Sequence, residues 1–252
     1  VDITHPDAPA PDGPLYAKAL VLSEGDTTAV IVTVDAVAIA EIGTIRGDFL
    51  AGVRRQLEQE LKIPPAHVLV NASHCHGKVC ADVEKRTVQA VREARRNMTP
   101  VRAACGSGRE ERIMENRRLR LANGKEADVR HAYALPPDEE VAAIGPVDPE
   151  IGLLRLDRTD GRTLAVVYHF ACHPIQGIPS GGNTADITGF ASRVIEDNLS
   201  DGATALFLQG CAGDINPVRY KDVNSPRDAE PLGNMLGLSA LKAVRKIQVR
   251  DD

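Results

Sequence analysis

The chain alternates short apolar runs with longer segments in which apolar residues recur every three or four positions. Two β-branched runs, 16–23 and 29–37, flank the turn composition EGDTT and predict a β-hairpin. Further strands are predicted at 67–73, 101–108, 163–171 and 204–210, helices at 40–61, 82–97, 186–199 and 230–247, and hairpins and loops over 110–150. The first fourteen residues carry four prolines and predict irregular chain.

Strands and helices therefore alternate, and several of the strands are apolar on both faces. This pattern predicts an α/β fold with a mixed, mainly parallel sheet and helices on both faces. We expect residues 1–252 to form a single domain.

Composition excludes several classes of protein. The chain of 252 residues is 43% hydrophobic, 26% charged and only 3% aromatic, so a base-stacking surface is not expected. The net charge is −5 and the basic residues are scattered, which argues against a nucleic-acid partner. No apolar run reaches the roughly 18 residues that suggest a membrane span, so we expect no transmembrane segment.

The cysteine pattern bears on the cellular compartment. Five cysteines are present, an odd number, and no CxxC pair occurs. We therefore expect reduced thiols and a cytoplasmic setting. No signal peptide is visible, but the chain begins at Val1 rather than Met, which leaves a secreted form with a removed signal peptide open.

Polar clusters follow three of the predicted buried strands. They are NASHCHG at 71–77, ACHPIQG at 171–177 and GCAGDINP at 210–217. Ligands of open α/β sheets bind at the carboxyl ends of strands, so these clusters are expected to converge on one crevice. His74, His76, His173 and Asp214 would then share a site.

Histidines near carboxylates suggest a metal, and zinc is the commonest fit for imidazole-rich sites. Each histidine also has a structural interpretation: a lone His173 is more often a hydrogen-bonding residue, and GDINP alone could be a turn. If the H-x-H of His74 and His76 lay on a strand, both side chains would share a face. The remaining histidines are expected to be structural or surface residues: His5, His67, His131 and His169.

The same stretches resemble the N-terminal catalytic domain of the neutral/alkaline non-lysosomal ceramidase family. SHCHGK at 73–78 is similar to its T-H-T-H-S-G motif, and GDINP at 213–217 to its G-D-x-S-P motif. FACHP at 170–174, followed by NTADITGFA at 183–191, is similar to its F-A-x-H-P stretch with a later Asn and Asp. VDIT, LYAKALVL, VTVDAV and ENRRL also fit, so the resemblance spans nearly the whole chain.

The resemblance implies a zinc ion held by His74 and His173, with His76 in a supporting or substrate-facing position. Arg117 matches an arginine that lines the family's site. The implied reaction is hydrolysis of an N-acyl amide, with a small-molecule or lipid amide as substrate. Zinc would polarise the carbonyl or lower the pKa of a bound water that attacks it.

Two departures from the family pattern matter. The family's proposed nucleophile, the Ser of G-D-x-S-P, is Asn216 here, and an amide can donate to an oxyanion but cannot be that nucleophile. The family's remaining ligands, a Glu and a Tyr, lie beyond this chain's end, which is compatible with a fragment of a longer chain. Because a catalytic zinc usually has three protein ligands, the third would come from one of four side chains. These candidates are His76, Asp35, Asp186 and Asp214.

Three functional hypotheses follow. The leading one is a zinc-dependent hydrolase of an N-acyl amide, ceramide-like or smaller, in which Asn216, Asp214, His76 and Arg117 serve catalysis. The alternative is a non-catalytic or incomplete ceramidase-like domain that binds a metal or ligand. A thiol enzyme using Cys75 or Cys211 ranks below both. Asp186 precedes a predicted helix, so we also expect it to accept hydrogen bonds as an N-cap.

Overall fold

A computed structural model of the protein describes residues 1–8, 10–129, 135–177, 183–199, 202–218 and 228–249. Its strands and α-helices, in chain order, are β1 (Ala17–Glu24), β2 (Thr27–Val34), α1 (Phe49–Leu61), β3 (Val68–Ala72), α2 (Val83–Arg96), β4 (Val101–Arg109), β5 (Met114–Asn116), β6 (Arg118–Leu121), β7 (Glu126–Asp128), β8 (Val141–Ile144), β9 (Glu150–Arg158), β10 (Thr163–Phe170), α3 (Asp186–Asp197), β11 (Thr204–Gln209), β12 (Ile215–Pro217) and α4 (Glu230–Val244). Short 3-10 turns precede β3 and β8.

The first sheet has three strands in the order β1-β2-β3. The predicted hairpin is confirmed, because β1 and β2 pair antiparallel, and β3 then adds parallel to β2. Side chains alternate along β2: Val30, Val32 and Val34 belong to the core shared with α1 and α2, whereas Ile31 and Thr33 point to the opposite face. The sheet is therefore covered by helices on one face only.

The second sheet has four strands in the order β11-β10-β9-β4. β9 pairs antiparallel with both β4 and β10, and β11 pairs parallel with β10. Along β10, Val166, Tyr168 and Phe170 pack with α3 and α4 in one core cluster, while Ala165 and Val167 belong to another. This sheet also carries its helices on a single face.

A small core joins the two sheets face to face. Its buried members are Leu20 from β1 and Leu156, Ala165, Val167 and Leu206 from the second sheet. The layers thus run helices, sheet, sheet, helices. We call β1–β3 with α1 and α2 the N-terminal half, and β4–β12 with α3 and α4 the C-terminal half.

Polar side chains of the N-terminal half cover the open edge of β11. The Thr33 hydroxyl donates to the Phe207 carbonyl at 2.6 Å. The Asn71 amide donates to the same carbonyl at 3.1 Å and accepts the Gln209 N–H at 3.1 Å. An edge strand that would otherwise present unpaired backbone groups is thereby satisfied, and the two halves are tied together.

The predicted α/β class is confirmed, but the mainly parallel arrangement is wrong. Among the described strands only β2–β3 and β10–β11 pair parallel, so the sheets are mixed. The expected sheet with helices on both faces is replaced by two stacked sheets with helices on the two outer faces. The physical reason is β9, a strand that the apolar pattern did not predict, which inserts antiparallel between β4 and β10.

The first helix is shorter than the periodicity indicates. It begins at Phe49, not at residue 40, and Ile42 is 61% exposed. Gly43 has φ of 81° and lies outside helical geometry, and Gly47 adds a second weak helix former to the same stretch. Within 110–150 the described residues contain one of the predicted hairpins, β6–β7, and β8 adds antiparallel to the other side of β6. β5 pairs instead with the distant β12.

Candidate metal centre

The first histidine segment leaves β3 and runs beside the end of β2. The backbone N–H of Ser73 donates to the Val34 carbonyl at 2.9 Å, and that of His74 donates to the Ala36 carbonyl at 3.0 Å. His74 adopts φ of 65°, a left-handed conformation that is uncommon for a residue with a side chain. The histidines therefore do not lie on the strand, and the left-handed turn at His74 directs the segment away from it.

The second histidine segment leaves β10 and crosses to β12. The His173 N–H donates to the Ile215 carbonyl at 2.9 Å, which fixes the backbone beside β12. Its ring nitrogen Nδ1 lies 3.2 Å from the Ala212 carbonyl. Burial, followed by the nearby His74, lowers the pKa of His173 to about 4, so the imidazole is neutral at pH 7.

The rings of His74 and His173 meet at their Nε2 atoms, which lie 3.0 Å apart. His74 Nδ1 lies 2.5 Å from the Val37 carbonyl, and a carbonyl only accepts hydrogen bonds, so Nδ1 carries the proton in both rings. In the neutral tautomers, the two Nε2 lone pairs then face each other. Such a contact requires a proton or a metal ion to bridge it.

His76 completes a group of three imidazoles. Its ring centroid lies 5.7 Å from that of His74 and 5.8 Å from that of His173. One ligand nitrogen from each ring can be chosen so that all three lie within 4.8 Å of one another. His76 is exposed while the other two are partly buried, so the group has two inner nitrogens and one facing solvent.

The carboxylates considered as a third ligand lie outside this group. Among the described residues, the cluster of metal-ligating side chains contains His74, His76 and His173 alone. Asp35 accepts the Tyr16 N–H at 2.9 Å instead. Of the four side chains proposed from the sequence, the structure therefore brings only His76 to the other two histidines.

Asp186 is the first residue of α3, and the expected N-cap role is wrong. The N-cap position is Ala185, and no side chain caps the helix. The Asp186 carboxylate is 1% exposed and accepts three backbone N–H groups: those of Gln176 at 3.1 Å, Gly177 at 2.7 Å and Ile187 at 2.8 Å. Two of these N–H groups lie on the His173 segment. Asp186 therefore links the start of α3 to that segment and does not cap the helix.

Arg117 and Asp214 lie beside the His173 segment. The Arg117 N–H donates to the Asp214 carbonyl at 2.8 Å, and its guanidinium lies 3.2 Å from Asp128. The Arg117 charge is a minor cause of the lowered pKa of His173, after burial and the nearby His74. The Asp214 carboxylate lies 3.4 Å from the Arg118 Nε and is 37% exposed.

Asn216 lies on β12, one residue after the carbonyl that holds His173. It is 2% exposed and pairs in register with Glu115 of β5. The strand pairing gives the Asn216 position a rigid backbone. The backbone of Asn216 is thus adjacent to the Ile215 carbonyl, which accepts the His173 N–H.

The cysteines do not support thiol chemistry at Cys75. All five are free thiols, and Cys75 is fully buried. Burial raises the pKa of the Cys75 thiol, which disfavours the nucleophilic thiolate. Cys211 is exposed and borders a cavity.

A cavity of about 650 Å³ adjoins the His173 segment through Asp214 and Ile215. Apolar and charged side chains both line it, among them Arg118, Leu119, Ile144, Val147 and Cys211. The sequence did not predict this cavity, because it forms between β6, β8 and the 211–215 loop, which lie far apart in the chain.

Sequence reasoning also missed the groups that orient the two inner rings. These are the backbone carbonyls of Val37 and Ala212, and a carbonyl carries no residue-type signal. The His5 ring accepts the Asp7 N–H, the His67 ring lies 3.0 Å from the Thr28 carbonyl and His169 is exposed, as expected of structural or surface residues. His131 lies outside the described residues.

Comparisons with known proteins agree with the fold. No protein-family model and no curated protein matches the chain. The structure is similar to the neutral ceramidase from Pseudomonas aeruginosa, with a TM-score of 0.70 and 19% identity over 99% of this chain and 41% of that one. It is also similar to a ceramidase complexed with C2, with a TM-score of 0.68 and 18% identity over 98% of this chain and 42% of that one.

At these identities the likeness shows a shared mixed α/β fold. The chain spans about two fifths of the length of each of these ceramidases. In the part of the chain that the structure describes, none of the helices combines the length and apolar character that crossing a membrane requires.

Proposed function

We propose that the protein is a zinc-dependent hydrolase of an N-acyl amide. The observation that carries the proposal is the contact between His74 and His173, whose Nε2 atoms face each other at 3.0 Å while a carbonyl occupies each Nδ1. Imidazoles oriented through their second nitrogen are the usual arrangement of metal-ligating histidines. The similarity of the fold to ceramidases supports amide hydrolysis as the reaction class.

The donor set suits zinc. His74, His76 and His173 would supply three neutral nitrogen ligands, the number found in catalytic zinc sites. The exposed position of His76 leaves the solvent side of the group accessible to a substrate. A zinc ion bound there would act as a Lewis acid, polarising a carbonyl oxygen and acidifying water.

The C-terminal half would supply the groups that stabilise the oxyanion and transfer a proton in the transition state. We assign to Arg117 the stabilisation of the developing oxyanion, because its backbone N–H is bonded to the carbonyl of Asp214, the residue before the one whose carbonyl holds His173. Asn216 would donate a hydrogen bond to the same oxygen. Asp214, whose carboxylate is partly exposed beside Arg118, would accept or return a proton at the leaving amine.

The cavity lined in part by Asp214 and Ile215 supports the proposed substrate class. Its volume of about 650 Å³ and its mixed lining fit an acyl amide with a short or medium apolar chain and a polar head. Ceramide-like and smaller N-acyl amides both belong to this class.

A second candidate function is a ceramidase-like domain that binds the metal without turnover. Asn216, at the position where the family that this chain resembles has Ser, favours it. Both candidate functions include metal binding, but only the first includes hydrolysis of a substrate.

Zinc content and hydrolysis of a panel of N-acyl amides, each with and without a chelator, test the proposal. We expect about one zinc per chain and chelator-sensitive release of fatty acid. Zinc binding without turnover on any amide would favour the non-catalytic domain. No zinc binding at all would contradict both.

A further inference from the structure

Asn183 holds the backbone that follows the first histidine segment. Its side-chain oxygen accepts the Lys78 N–H at 2.6 Å, and its amide donates to the Lys78 carbonyl at 3.0 Å. The same amide donates to the Ala8 carbonyl at 2.7 Å. Asn183 is 9% exposed, so one buried amide satisfies both backbone groups of a residue two positions after His76.

Asp186 holds the backbone that follows the second histidine segment. Its two carboxylate oxygens accept the N–H groups of Gln176 and Gly177, three and four positions after His173. Charge-assisted hydrogen bonds to a buried carboxylate are stronger and more directional than neutral ones. The contacts of Asn183 and Asp186 are therefore of the same kind, side chain to main chain, on two different segments.

The stretch that carries both side chains is itself fixed. The Thr184 hydroxyl accepts the Asp186 N–H at 2.9 Å, and the Thr188 hydroxyl donates to the Ala185 carbonyl at 2.8 Å. All of these residues except Asn183 belong to or directly precede α3, which packs against α4. Asn183 and Asp186 therefore sit three positions apart on a rigid helix start.

Both histidine segments approach this stretch closely, so that an added Cβ would press on it. A Cβ added at Gly77 would meet the Asn183 side-chain oxygen at 3.3 Å and Leu15 at 2.6 Å. A Cβ added at Gly177 would meet the Asp186 carboxylate at 3.2 Å and Thr184 at 3.1 Å. The glycines after His76 and His173 thus permit the close approach that these hydrogen bonds need.

We propose that residues 183–186 act as a clasp that sets the spacing between the two histidine segments. Asn183 grips the segment of His74 and His76, and Asp186 grips the segment of His173. Both are positioning residues: neither is in the group of metal-ligating side chains. The expected effect of the clasp on zinc binding rests on the proposed function. Its effect on the distance between the His74 and His173 rings does not require a metal.

Zinc affinity of the full chain, measured by competition with a chromophoric chelator, is the first test. Asn183→Ala and Asp186→Asn should each weaken zinc binding by about 10- to 100-fold, the usual cost of losing a group that orients metal ligands. The visible absorption of the cobalt-substituted protein should also shift, because the ligand geometry is disturbed.

Glu110→Gln is the matched control. Glu110 is a buried carboxylate that accepts the Arg112 N–H at 2.8 Å and the Ser239 hydroxyl at 2.7 Å, between β4 and α4. Glu110→Gln should lower the melting temperature about as much as the clasp variants do. Its zinc affinity should stay within about threefold of the wild-type value. Equal zinc losses in the control and the clasp variants would show a general stability effect and overturn the clasp.

A metal-free measurement separates the clasp from the proposed function. The ring protons of His74 and His173 should show a strong nuclear Overhauser effect in the wild type, and a weakened one in Asn183→Ala. If the other variants do not fold, Gly177→Ala replaces them, because its added Cβ only presses on Asp186 and Thr184. It should weaken the same nuclear Overhauser effect. A folded variant with unchanged ring contact and unchanged zinc affinity contradicts the clasp. Loss of the ring contact in a chain that binds no zinc supports the clasp and refutes the metal site.

Discussion

The two halves of the molecule contribute unequally to the candidate site. The N-terminal half supplies His74 and His76 from one short segment, held by backbone contacts to the end of β2. The C-terminal half supplies one imidazole, His173, and in the proposed function also Arg117 and Asn216. Metal binding is therefore expected to depend on both halves, whereas stabilisation of charge is expected to depend on the C-terminal half alone.

The largest expected effect is on turnover and lies in the C-terminal half. Asn216→Ala should lower kcat by about 10²- to 10³-fold, as loss of one oxyanion donor typically does, with zinc affinity unchanged. Steady-state kinetics on the best N-acyl amide of the panel measure it, and no covalent acyl-enzyme should accumulate. Asn216→Ser, the family's residue, is the matched variant. Wild-type turnover in Asn216→Ala would show that the Asn216 side chain takes no part in catalysis.

The next largest effect is on the free energy of unfolding and concerns Asp186, which holds the His173 segment by hydrogen bonds. Asp186→Ala leaves three buried N–H groups without an acceptor. Its left-handed backbone, with φ of 54°, adds a further cost for alanine. The free energy of unfolding should fall by about 2–4 kcal/mol, measured by urea denaturation. A loss below about 0.5 kcal/mol would mean that water replaces the carboxylate.

The comparison predicts that metal binding depends on both halves. His74→Ala and His173→Ala should each reduce zinc affinity by at least about 10-fold, because each removes one nitrogen of the facing pair. His67→Ala is the control, since that ring is exposed, lies 3.0 Å from the Thr28 carbonyl and is not in the group of metal-ligating side chains found among the described residues. If one of the two variants retained full zinc affinity in dilute solution, the site would belong to a single half.

The smallest expected effect concerns the contact between the halves. Thr33→Val removes the buried hydroxyl that donates to the Phe207 carbonyl but keeps the side-chain shape. Asn71 still donates to that carbonyl, so no acceptor is left unpaired and the loss should be about 1 kcal/mol of unfolding free energy. Thermal unfolding checks it. A loss of 3 kcal/mol or more would mean that the halves depend on this single contact.

Most elements of the fold could be predicted from hydrophobic periodicity, and the exceptions have physical causes. β9 was missed because Arg155 and Asp157 interrupt its apolar pattern, yet they pair with each other at 2.9 Å and stay largely buried. The Asp160–Gly161 turn that joins β9 to β10 was an available hairpin signal. Strand direction could not be predicted, because alternating strands and helices are equally compatible with a second, stacked sheet.

The site was predicted in part. The convergence of the His74 and His173 segments follows from their positions after buried strands, and the structure brings these residues together. The choice among His76, Asp35 and Asp186 could not be made from sequence, since it depends on the left-handed turn at His74 and on backbone donors that occupy the carboxylates.

Anomalous scattering at the zinc absorption edge, from a crystal of this chain grown with zinc, tests the central claim most directly. The account predicts one strong peak within bonding distance, about 2.0–2.1 Å, of a ring nitrogen of each of His74, His76 and His173. A peak at any other group of side chains, or no peak among these three rings at full zinc saturation, would contradict it.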